Sequence, residues 1–172
     1  GRLKFSHSNT VGKHGYRISA HGSSDGGYKD DSGYDQQKLS LRHNYSGAVW
    51  SVQSLLSAAN LQQETAGYVL GKDAYKDDSR KRENPNPEAY RNSKNVRFYS
   101  RFERDGTQDS HFVVTPYLRY TDMSFLQHFL PGTPLEENGE RSVGVQTAFY
   151  QQSSDKLTLH NGFDMELSQA YL

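Results

Sequence analysis

Cysteine is absent from this chain, so no disulfide framework holds it, which by itself fits many compartments. Long apolar runs are absent too, which excludes a membrane-spanning helix. Hydrophobic residues make up only 33% of the 172 residues, a poor supply for a soluble core of that length. Neither charge sign dominates, with 20 basic against 20 acidic residues, and no nucleic-acid partner is expected. There is no initiator Met and no signal-peptide pattern. Both ends read as strand-like or just past a strand, at Arg2–His7 and Ser168–Leu172, so the expectation is a piece of a longer protein. A composition this polar can mean disorder. Twelve Tyr, eight Phe and one Trp argue against it.

What the chain does have is period-two alternation, the strand signal. Eight segments show it: Leu3 to His7, Tyr16 to Ala20, Leu39 to Tyr45, Trp50 to Ala58, Val96 to Phe102, Phe112 to Tyr120, Val143 to Phe149 and Leu157 to Leu167. Taking every second residue from the first one named gives faces such as Leu39, Leu41, His43, Tyr45 and Phe112, Val114, Pro116, Leu118, Tyr120. None of the eight faces holds Asp, Glu, Lys or Arg, although 23% of the chain is charged. The alternate positions collect Arg2, Lys4, Arg17, Lys38, Arg42, Arg97, Arg101, Glu103, Arg119, Asp164 and Glu166.

Two structures produce such a pattern: a soluble sheet with one face on a core, or a transmembrane β-barrel with lipid outside and a polar lumen inside. The low apolar content favours the barrel, whose wall needs only a thin apolar band. Connections point the same way. Short ones at Asn9–Gly15, Ser46–Val49, Asp105–Ser110 and Gln152–Asp155 alternate with long ones at about 22–36, 62–95 and 122–140. Outer-membrane barrels have short periplasmic turns and long external loops. Tyr45, Trp50, Phe102, Phe112 and Phe149 sit beside the short turns, where a barrel places an aromatic girdle. The expected fold is therefore all-β, an antiparallel up-and-down meander of about eight strands within a larger transmembrane β-barrel. Pro116 falls inside a strand and demands a bulge or a local break in pairing.

Three stretches then carry a resemblance. Thr115–Val145 (TPYLRYTDMSFLQHFLPGTPLEENGERSVGV), Gln63–Arg91 (QETAGYVLGKDAYK, then NPNPEAYR) and His160–Gln169 (HNGFDMELSQ) resemble the barrel of TonB-dependent outer-membrane receptors of Gram-negative bacteria. The first sixty residues match only in style. The resemblance implies a barrel of about twenty-two strands with a plugged lumen. It implies residence in the outer-membrane lipid and uptake of a ferric siderophore or similar small nutrient. Energy would come from TonB, ExbB and ExbD through a plug segment, and neither plug nor TonB-contact box is found in this sequence. The alternatives are a passive porin-like channel and a soluble all-β binding module.

Candidate sites are sparse. Phe125, His128 and neighbouring apolar residues form a patch in an expected surface loop, and Tyr90, Arg91 and Arg119 add the aromatic–arginine chemistry that suits an anionic conjugated chelate. The plainer alternatives are loop packing on the barrel rim and arginines paired with neighbouring carboxylates. The seven His show no His-x-x-x-His or Glu-x-x-His spacing, and Lys29–Asp35 lacks the alternating ligands of a calcium loop, so no metal and no cofactor are expected. Without a Gly-x-Ser-x-Gly elbow or another catalytic signature, the expectation is a protein that is not an enzyme. The basic excess on the charged face would favour anionic ligands or an acidic plug surface.

Overall fold

Alternating segments joined by turns build a single sheet. The computed structural model describes residues 1–106 and 110–172, so the expected short connection at 105–110 lies partly outside the described residues. The strands are β1 (Arg2–Val11), β2 (His14–Asp25), β3 (Tyr34–Ser46), β4 (Trp50–Glu64), β5 (Tyr90–Asp105), β6 (Ser110–Leu126), β7 (Leu135–Ser154) and β8 (Leu157–Tyr171). Each pairs antiparallel with the next, in the order β1 to β8. The sheet is an open meander, with β1 and β8 at its edges. One 3-10 turn, Ala74–Lys76, is the helical element among the described residues, and no helix is long and apolar enough to cross a membrane.

Directly opposed residues in an antiparallel pair share a face, so the registers place every side chain. One row crosses all eight strands as His7, Ile18, Leu41, Leu56, Phe98, Leu118, Val143 and Leu167. The eight alternating faces thus form one surface. Arg17, Arg42, Arg97, Arg119 and Gln146 lie on the other. Arg104 and Arg141, just beyond the segments first read, join the uncharged surface at its two borders, stacked over Trp50 and Tyr120 at 5.8 and 5.7 Å.

Among the described residues no second layer covers the uncharged surface. Among the described residues only Ala74, Ala89 and Val113 are buried apolar side chains, whereas Val143 is 56% and Leu167 67% exposed. Burying one such side chain is worth about 1.5–3 kcal/mol. The seven apolar members of that single row therefore leave up to the order of 10 kcal/mol unrealised, comparable with the whole stability of a domain.

Several polar groups on this surface are paired locally. Ser54 and Ser100 hydroxyls lie 2.7 Å apart, and His14 Nδ1 and His43 Nε2 are 3.0 Å apart. Thr147 Oγ1 donates to the Phe163 carbonyl at 2.9 Å and accepts from the Phe163 N–H at 3.1 Å. Self-pairing of this kind lowers the cost of a non-aqueous setting. Pro116 breaks the β5–β6 ladder opposite Ser100 without a bulge, since the register is the same at Tyr99–Tyr117 and Phe102–Val114.

The apolar stretch runs obliquely across the sheet. On β1 it begins at Leu3, whose row continues through Gln37, Asn60, Lys94 and Asp122, all outside the stretch on their own strands. On β8 it reaches Leu159, whose row holds Gln151 and Ser110. The drift is roughly one residue per strand. With about 3.3 Å per residue and about 4.8 Å between strands, the stretch lies roughly 35° off the perpendicular to the strands.

Every strand exceeds its alternating segment, from 10 residues in β1 to 20 in β7. The connections at one end narrow accordingly to 26–33, 65–89 and 127–134. At the other end, a tight turn at Gly12 and Lys13 joins β1 to β2, with Gly12 at φ 58°. A side chain there occupies open space but adopts a left-handed backbone. Gly12→Ala is expected to lower stability by about 1 kcal/mol and Gly12→Asn by less, read from urea unfolding. Equal losses would place the strain elsewhere.

Candidate functional site

The three wide connections lie at one end of the sheet, and two of them, 26–33 and 65–89, dock on one another. Lys29 Nζ donates to the Gly67 carbonyl at 2.5 Å, and the Asp30 N–H to the Arg82 carbonyl at 2.9 Å. Asn84 ties three points: its Nδ2 donates to the Asp31 carbonyl at 2.9 Å, and its Oδ1 accepts from the Gly67 and Asn86 N–H groups at 3.3 and 2.9 Å. Glu64 Oε2 accepts from the Gly33 N–H at 2.9 Å. Within the longest connection, the Ser79 hydroxyl and then its N–H, at 2.6 and 2.9 Å, hold the Asp77 carboxyl below its ordinary pKa. Tyr68, Leu70 and Tyr75 project from it into solvent, and alternation, which finds strands and not loop side chains, does not single them out.

Three of the five candidate residues come together at this end. Arg91 opposes Phe125 in register, and its guanidinium sits 4.3 Å from the ring centroid. Phe125 packs at 6.0 Å on Phe129, which meets the His128 ring edge-on at 5.7 Å. His128 Nδ1 is shielded from solvent and has no hydrogen-bond partner, while Phe129 is 61% exposed. Glu136, next in the row after Phe125, accepts from Gln127 Nε2 and, at 2.6 Å, from Asn138 Nδ2. The result is an aromatic wall with the Arg91 cation over it, a solvent-shielded imidazole nitrogen and an occupied carboxylate beside it. Such a wall suits a flat conjugated anion.

The other two stand apart. Tyr90 and Arg91 are neighbours on β5 and therefore face opposite ways. Tyr90 instead lines a cavity of about 300 Å³ with Asp25, Tyr34, Asp35, Glu64 and Asn92, and its hydroxyl lies 3.4 Å from Ser124 Oγ. Arg119 shares the face of Phe125 but lies six residues, about 20 Å, further down β6. There it pairs with Glu166, approaches Glu140 at 3.8 Å and donates to Ser142 Oγ at 3.1 Å, while Tyr117 also donates to Glu166. Arg119 is thus a strut between β6, β7 and β8, as the plainer alternative holds.

No protein-family model matches the chain, and no curated protein matches it.

The connection 127–134 is hydrogen-bonded within itself. The Gln127 N–H donates to the Pro134 carbonyl at 2.9 Å, closing its base. Thr133 takes φ 43°, unusual for a β-branched residue and worth roughly 1–3 kcal/mol of strain. Thr133→Gly is expected to leave stability unchanged or raise it by about 1 kcal/mol in chemical denaturation, the lost strain exceeding the added chain entropy. A loss above 1 kcal/mol would show that the Thr side chain holds the loop.

Proposed function

We propose that this chain forms part of the wall of a transmembrane β-barrel in the Gram-negative outer membrane, of the TonB-dependent receptor type. Its substrate class is a ferric siderophore or a similar small nutrient taken up with external energy. In receptors of this type TonB, ExbB and ExbD supply that energy through a plug segment. The observation that carries the barrel reading is the oblique uncharged stretch. A soluble sheet covered by another layer needs no slope, whereas barrel strands tilt by about 35–45° from the axis, so a membrane-level band must cross them obliquely. Aromatics beside the tight turns support it, since Tyr45, Trp50, Phe102, Phe112 and Phe149 all lie on the uncharged face at that end, where a barrel places an aromatic girdle. The receptor reading rests on the resemblance in the second half and part of the middle of the chain, and on the connection 127–134, which with β5 and β6 offers the Arg91–Phe125–His128 wall to the outside.

Two neighbouring positions on β7 test the membrane part. Val145 lies within the uncharged stretch and Gln146 on the charged face. In lipid vesicles Val145→Arg is expected to lower folding free energy by roughly 2–4 kcal/mol, and Gln146→Arg by much less. Equal effects would contradict the assignment of faces to lipid and lumen.

A loop exchange tests the receptor part. Replacing 128–133 by Gly and Ser in the intact protein is expected to reduce siderophore-dependent uptake of labelled iron at least tenfold, with surface amounts unchanged. Normal uptake would leave this connection a structural role only.

A further inference from the structure

Charge on the polar face is divided unevenly. On β5 to β8 the arginines are accompanied by Glu103, Glu136, Glu140, Asp164 and Glu166, and several are paired. On β1 to β4 the same face holds Arg2, Lys4, Arg17, Lys38 and Arg42 with His21, and its one carboxylate is Asp25 at the loop end. The registers also set like charges directly opposite one another. Lys4, His21 and Lys38 form one row, and Arg17 opposes Arg42 in another. Like charges directly opposed destabilise a sheet. Among the described residues Lys4, Lys38 and Arg42 have no ion pair.

Between those two cationic rows runs a row of four serines: Ser6, Ser19, Ser40 and Ser57. Ser6 and Ser19 hydroxyls lie 3.2 Å apart, and Arg17 Nε donates to Ser6 Oγ at 3.3 Å. A cavity of about 250 Å³ opens over this row, lined by Lys4, His21, Lys38, Ser19, Ser40 and Ser57. Its floor is short at Ala59, which stands opposite Lys38 on β4. Each cationic row lies two residues, about 6.6 Å, from the serines along the strands. Hydroxyl donors flanked on both sides by unpaired cations are the chemistry of an oxyanion site.

We infer that the β1–β4 polar face binds a small oxyanion carrying two or more negative charges, held by Lys4, Lys38 and Arg42 with the serine hydroxyls between them. The anion relieves the like-charge repulsion that the register imposes. This inference deepens the reading of the polar face as a water-filled lumen and rests on it: it gives the carried nutrient a polyanionic character.

Calorimetric titration of the intact protein in zwitterionic detergent tests it, with citrate and pyrophosphate as separate probes at fixed ionic strength. At least one probe is expected to bind at a single site, and which one binds distinguishes carboxylate from phosphate oxygens. The double variant Lys4→Gln with Lys38→Gln should weaken binding at least tenfold, whereas Lys4→Arg with Lys38→Arg should retain it. Lys94→Gln, on the opposite face, should change nothing. No binding of either probe, equal binding by the Gln variant, or equal displacement by chloride would overturn the inference. Heat-modifiable gel migration of the same samples reports the barrel reading separately, so a folded barrel that binds no anion refutes this inference alone.

Discussion

An eight-stranded sheet with one continuous uncharged surface must find something apolar to set against it. Backbone hydrogen bonds hold the meander together strand by strand, but they do not cover Leu41, Phe98, Leu118 or Val143. Nothing among the described residues does so either: the wide connections lie at the end of the sheet, where 26–33 and 65–89 dock on one another. Everything else follows from that unmet burial. Ser54 and Ser100, His14 and His43, and Thr147 satisfy themselves locally on that surface, and Arg104 and Arg141 sit at its borders over aromatic rings. On the proposed reading the charged face lines the lumen, and water there leaves it free to carry ion pairs and unpaired cations.

The slope of the uncharged stretch gives this surface its meaning. A flat protein layer would be served by a straight row, yet the apolar residues step from Leu3 on β1 to Leu159 on β8. On the proposed reading the hydrocarbon slab is level and the strands are tilted. The same tilt explains why strands of unequal length share one band. It also explains why the polar extensions of β4 to β7 carry the connections clear of it.

The sequence was legible wherever two faces meet different surroundings. All eight alternating segments fall within strands, and their registers join the eight uncharged faces into one. Alternation faded where both faces meet water, as in Tyr90–Asn95, Asp122–Leu126 and Leu135–Glu140, so those stretches read as loop though they are strand. Pro116 forced one of two outcomes, and the ladder break without a bulge is the one adopted. Among candidate residues, adjacency alone separates Tyr90 from Arg91 in a strand. The partners of Arg119 come from β7 and β8, and only the pairing register brings Glu140 and Glu166 beside it. The contrast between a basic half and a balanced half likewise needs the register, since the composition is neutral overall.

Spin labels placed one at a time along β1, β4 and β8 measure the central claim most directly, in a chain free of competing cysteines. Their collision rates with oxygen, which concentrates in hydrocarbon, are compared with those of a water-soluble nickel chelate in lipid vesicles. The account predicts a two-residue periodicity with Leu3, Leu56 and Phe163 on the oxygen-accessible face. It also predicts a depth maximum that drifts by about one residue per strand from β1 to β8. Equal oxygen and nickel accessibility on both faces, or a maximum fixed on one register row across all three strands, would contradict it.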